Sequence, residues 1–296
     1  MDYKTMKLED YDPDKFYGGV KYDIHAVFTI LSDYIDFYSY ISDRTGTTCS
    51  SVLCVKDVYD LDGILFSSIK CTLQSIRDLL KVGHINDAFA LVRKYEDAIL
   101  THLYIDLLME DEKKKIYMLD IQQYKFFENK ISKWVNALSK YDLQANEFKL
   151  ANFESVKELY GLFENSFKKG DSKGSSFKDF TLRQFCNNNV HYNSLRYFIW
   201  NDSSFPNLGE TRIKLLDKMS VALSNIFLVH FSFQLVINPS LFVSSDYLDA
   251  LESNVEPEEG SENWVAPIFQ EFFNKYIAKW EEISDYLRGC NFLEFE

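Results

Sequence analysis

Glycine and proline are scarce, 11 and 5 residues in a chain of 296, which argues against a fold built on many tight turns. Cysteine offers no framework either. Five thiols, at 49, 54, 71, 186 and 290, make an odd number with no CxxC pair, and this excludes a disulfide scaffold and a zinc-ribbon reading. Basic residues are outnumbered, 32 against 45, giving a formal net charge of −13. That balance speaks against coating double-stranded DNA or an anionic membrane through the overall field, though not against a local basic site. The N-terminal stretch MDYKTMKLEDYDPDKFYGG has no signal-peptide apolar run, so a cytoplasmic location is the expectation. GxGxxG, Walker-type loops, GxSxG and HExxH are all missing, which removes the ordinary nucleotide-binding, hydrolase and metalloprotease readings and leaves no cofactor or metal expected.

What is present is apolar and aromatic: 46% hydrophobic residues, with 25 Phe and 19 Tyr to supply the core. Apolar residues recur at helical spacing almost throughout. The pattern predicts a helix over 22–43 ending near Gly46, a second over 58–82 stopped by Gly83, and a third over 86–109 capped by Asn86 and apolar on several sides. The charged break MEDEKKK then leads to helices over 115–140 and 153–168. A further helix opens at a Thr181/Gln184 capping box, a long one covers 210–237, and a final amphipathic one covers 264–287. The apolar run 221–237 is about a turn short of a membrane span and carries Asn225, His230 and Gln234, so it reads as a core helix with no membrane partner. Residues 246–262 hold seven acids and no base and read as a solvated linker. No strand pattern stands out. The expectation is an all-α single domain, 1–296, of roughly eight helices.

The segment RQFCNNNVHYN, 183–193, is chemically the most unusual. Asparagine competes with helical backbone bonding, so an Asn run inside a helix calls for a compensating reason. Helical geometry puts Arg183, Asn187 and His191 on one stripe, drifting about 40° per four residues. A guanidinium can grip a phosphate, and an imidazole can move a proton near neutral pH. The preceding loop carries Lys168, Lys169, Lys173 and Lys178, so 165–183 is locally basic, and these lysines with Asn188 are candidate phosphate or RNA contacts. The same stripe also has a structural reading, as an inter-helix hydrogen-bond network with His191 in the core.

Arg93 and Glu96, three residues apart among apolar neighbours, are expected to form a structural ion pair. Asp57, Asp60 and Asp62 lack the continuation of a calcium loop and read as helix N-terminal acids. His25, His84, His102 and His230 share no ligand spacing.

The combination SSIKCTLQSIRDLLKVGHINDAFALVRKYEDAILTHLYIDLL with LRQFCNNNVHYNSLRYF resembles the HEPN superfamily of small helical proteins, over about 58–237. The resemblance implies a helical bundle with extra N-terminal (1–56) and C-terminal (240–296) helices, often dimeric, hence an expected homodimer. In active members it implies a metal-independent endoribonuclease, of the kind used in antiphage defence, abortive infection or toxins, with RNA as partner. His191 matches the family histidine and Asn187 its polar position. The arginine departs from the pattern, because Cys186 stands at the commonest spacing. Either Arg183 reaches in from two turns away, or the chain is a catalytically inactive HEPN-like module that binds a nucleotide, RNA or protein partner.

Overall fold

The computed structural model describes residues 18–48, 61–118, 182–191, 194–202, 208–290 and 293–295. Of these residues 82% are helical and none forms a β-strand; the only β features among them are isolated bridges, Val243 with Val265 and Trp264 with Glu294. The fold is all-α. In chain order the helices are α1 (Gly19–Asp23), α2 (Ala26–Thr48), α3 (Leu61–Lys81), α4 (Ile85–Met118), α5 (Leu182–Val190), α6 (Leu195–Ile199), α7 (Gly209–Ile237), α8 (Ser245–Glu252), α9 (Pro267–Phe272) and α10 (Glu281–Cys290). The expected helices over 115–140 (beyond Met118) and 153–168, the basic loop and Thr181 lie outside the described residues.

Local chemistry explains where the ends fall. The first long helix starts at Ala26, later than periodicity predicts, because His25 Nδ1 accepts the Val27 N–H at 3.2 Å and so caps it; it then runs past Gly46 to Thr48. Gly83 does stop α3: its φ of 79° is left-handed, and the Gly83 and His84 N–H groups bond back to Leu80 O and Leu79 O, closing a Schellman motif. Asn86, by contrast, is no cap. It sits inside the first turn of α4, where its N–H donates to Asn201 Oδ1 at 2.8 Å, so the cap comes from a distant residue. The helix continues through MEDEKKK to Met118, since Glu and Lys are good helix formers and a charge run does not break the backbone pattern.

Two further expectations are corrected near the C-terminus. The acidic stretch is helical at its start, as α8, because Ser244 Oγ accepts the Asp246 N–H and Asp246 complements the first turn; 253–256 is exposed. The final helix does not start at Trp264. Pro267 holds the first helical position, which leaves Ala266 extended, and a π turn at Phe273–Ile277 separates α9 from α10.

The described residues form two compact units, one from 18–35, 71–96, 182–191, 194–202 and 208–226, the other from 36–48, 61–70, 97–118, 227–290 and 293–295. In the first unit, Leu73, Ile76, Phe89, Phe185 and Leu223 are among the buried residues, and a fully buried Arg212 donates through Nη2 to Gly83 O at 2.6 Å and through Nη1 to Asp202 O at 3.3 Å. Tyr22 Oη donates to Leu80 O at 2.8 Å. In the second unit Phe37 is the aromatic hub, with edge-on neighbours Phe231 (4.8 Å between centroids), Phe227 (4.9 Å), Phe272 (5.2 Å) and Phe269 (5.6 Å). The buried Arg44 ties this unit's C-terminal segment down by donating to the carbonyls of Leu241 and Val243.

Helix α7 is long and apolar enough to cross a membrane by length and composition. It nevertheless carries Arg212 and Lys218, buried in the first unit, and His230 and Gln234, buried in the second. These polar groups are packed against protein.

Phe37→Ala is expected to cost about 3–5 kcal/mol, since four rings lose their common neighbour and the site cannot collapse around it. Urea unfolding of the variant beside wild type, read as a shift of midpoint at unchanged slope, measures it.

Candidate functional site

Helix α5 sorts its asparagines by face. Leu182, Phe185, Cys186 and Asn189 are buried, with the Phe185 ring edge-on to Phe89 at 4.8 Å. Asn189 is structural: its Nδ2 donates to Phe185 O one turn back at 2.7 Å, and its carbonyl accepts from Asn86 Nδ2 at 3.2 Å. Arg183, Asn187 and Asn188 are half-buried, and His191 is exposed. The His191 N–H donates to Asn187 O at 3.0 Å, so helical register persists to the histidine and Arg183, Asn187 and His191 share one stripe. Cys186 points inward as a buried thiol. It lies five residues before His191, about 140° around the helix, so a side chain at that position does not face the histidine.

The Arg93–Glu96 pair forms. Arg93 Nη1 donates to Glu96 Oε2 at 2.8 Å, with both side chains buried in the first unit. A paired charge with under a tenth of its surface exposed is a packing element. Lys168, Lys169, Lys173 and Lys178 lie outside the described residues.

The densest polar site was not foreseen as one. In the second unit, Asp62 from the first turn of α3, His102 and Asp106 from α4, His230 and Gln234 from α7, and Asn238 just after it are all buried. Tyr38 Oη lies 2.8 Å from His230 Nδ1, and His230 Nε2 lies 3.1 Å from His102 Nδ1. Gln234 Nε2 donates to Asp106 Oδ2 at 2.6 Å, and Asn238 Nδ2 donates to Asp106 Oδ1 at 3.3 Å and to Gln234 Oε1 at 3.0 Å. The walls are aromatic: Phe66 is edge-on to His102 at 4.7 Å, and Tyr38 stacks on His230 at 5.6 Å.

No family model, curated protein or solved structure matches this chain.

Burial dominates the electrostatics of the second site. It pushes the Asp106 carboxyl up to about 6, against the opposing pull of His102 and of the two amide donors. It works against the His102 imidazolium too, but there the charge of Asp106 and the nearness of Asp62 prevail, and the net effect raises His102. His230 is held well below its ordinary value by burial and by the neighbouring His102 charge, so it is neutral.

Proton positions follow from the acceptors. Ionised Asp106 can only accept, which turns the Gln234 amide nitrogen toward it; the same nitrogen lies 3.4 Å from His230 Nε2. His230 Nε2 is then an acceptor, His230 carries its proton on Nδ1 toward Tyr38, and His102 donates from Nδ1. The other ring nitrogen, His102 Nε2, is left facing Asp62 Oδ1 at 3.4 Å and Asp106 Oδ2 at 3.9 Å, with no hydrogen bond of its own.

A sequence signal existed for part of this site. His102 and Asp106 are i,i+4 on one helix, and His230, Gln234 and Asn238 repeat the same spacing as Arg183, Asn187 and His191. That Asp62 joins them is a matter of tertiary structure.

Two substitutions separate the sites by stability. Gln234→Leu is expected to cost about 1.5–3 kcal/mol, because it strands a buried carboxylate. His191→Ala, at an exposed position, is expected to stay within about 0.5 kcal/mol of wild type. Thermal melts of the two variants beside wild type check both.

Proposed function

We propose that the chain is a metal-independent endoribonuclease of HEPN type, with its chemistry on the Arg183, Asn187 and His191 stripe of α5 and RNA as its partner. The single observation that carries this reading is the division of the Asn run: Asn189 is consumed by packing, while half-buried Asn187 and exposed His191 lie one helical turn apart on the other side. His191 is the proton acceptor for a ribose 2′-hydroxyl, whose oxygen attacks the adjacent phosphorus as the bond to the 5′-oxygen breaks and that oxygen takes a proton from water. Arg183 stabilises the charge that develops on the phosphoryl oxygens, and Asn187 orients the phosphate or the imidazole. The products are a 2′,3′-cyclic phosphate and a 5′-hydroxyl. An antiphage or toxin effector acting as a homodimer fits this chemistry.

One observation favours a second reading, a catalytically silent HEPN-like module that binds RNA, a nucleotide or a protein. The position where the family arginine most often stands is Cys186, and it is buried in the core.

Wild type is expected to cleave total tRNA or ribosomal RNA in EDTA, leaving 2′,3′-cyclic phosphate ends. His191→Ala should lower the rate about 10²-fold or more, with an unchanged melt recorded on the same sample. Equal cleavage by both proteins contradicts the assignment. Folded wild type that binds these RNAs without cutting them transfers the conclusion to the silent module.

A further inference from the structure

The buried His102 Nε2 is the least satisfied polar atom in an otherwise well-bonded site. Its other ring nitrogen points to His230, and Nε2, buried and with no hydrogen bond of its own, faces two carboxylates, Asp62 at 3.4 Å and Asp106 at 3.9 Å. Two buried carboxylates converging on one unbonded imidazole nitrogen call for positive charge at that point, and a bound cation can supply it. Asp62, His102 and Asp106 each offer one ligand atom, and these atoms all lie within 4.8 Å of one another. Small inward shifts bring them to the N and O distances of a divalent transition ion, about 2.0–2.2 Å.

The surroundings have the form of a metal site's outer sphere. The non-ligating nitrogen of His102 is held by His230, and the non-ligating oxygen of Asp106 is held by Asn238, while Gln234 braces Asp106 Oδ2. One imidazole with two carboxylates suits Zn2+ or Mn2+ better than Ca2+, which prefers more oxygen ligands.

We propose that Asp62, His102 and Asp106 hold one buried divalent transition-metal cation that ties the start of α3 to α4. The cation is structural. Its ligands are nearly inaccessible, so it enters as the unit folds, and folding and metal binding are coupled. This site shares no residue with the α5 stripe, and its test does not depend on ribonuclease activity.

The full-length chain is refolded with EDTA or with Zn2+, desalted, and assayed for bound metal and melting temperature; Mn2+ and Mg2+ serve as comparisons. One Zn2+ retained per chain and a raised melting temperature are expected. Asp62→Asn should weaken Zn2+ binding at least about tenfold, as loss of a ligand exceeds the 10–100-fold range seen for outer-sphere changes. X-ray absorption at the zinc edge of wild type reads the site without any substitution: nitrogen and oxygen neighbours at about 2.0–2.2 Å are expected. Folded wild type that retains no Zn2+ overturns the proposal, leaving His102 as an imidazolium between two carboxylates. A sulfur shell near about 2.3 Å, or undiminished affinity in Asp62→Asn, also overturns it by moving the metal elsewhere.

Discussion

A carboxylate buried among aromatic rings is the most demanding single feature of this protein. Asp106 sits on a helix that is apolar on most sides, and an ion in such a place is tolerated only when its lone pairs are bonded and its charge is met. Gln234 and Asn238 supply the bonds. They are available because α7, otherwise apolar, turns one polar stripe inward with His230. The apolar length of α7 and its polar stripe are therefore two parts of one arrangement: the apolar faces pack, and the stripe satisfies the buried charge of Asp106.

The chain of contacts from Tyr38 through His230 to His102 has a direction, and that direction decides what the site asks for. Amide nitrogens facing Asp106 make His230 Nε2 an acceptor, and the protons run from His102 toward Tyr38. His102 then turns Nε2, which has no hydrogen bond, to the point where two carboxylates converge. Run the other way, the same heavy atoms would be self-sufficient, with a proton on His102 Nε2 shared with the acids. The positions of two protons thus separate a closed network from one in which a further positive charge has room between His102 and the two acids.

The helical architecture was legible because 3.6-residue periodicity is local and strong, and Gly83 ended α3 where a left-handed residue was needed. Other boundaries misled for physical reasons. MEDEKKK reads as a break, yet its residues are good helix formers, and α4 passes through it. Asn86 has the composition of a cap, but Asn201, more than a hundred residues away, does the capping. On α5, stripe arithmetic placed Arg183, Asn187 and His191 together and showed why an Asn run belongs there, once Asn189 was seen to bond back to Phe185 O. The same arithmetic applied to His230, Gln234 and Asn238 would have marked a second polar stripe. Reading the histidines one at a time concealed it, and no local rule brings Asp62 to His102.

The direction of the proton chain can be measured. A 15N spectrum of the histidine side chains at neutral pH, with His230 assigned by its variant, distinguishes the two neutral tautomers. The account predicts that His230 carries its proton on Nδ1, with Nε2 as an acceptor and His102 Nδ1 protonated. A proton found on His230 Nε2 would reverse the chain, place a proton on His102 Nε2 for the carboxylates, and contradict a cation bound at that nitrogen.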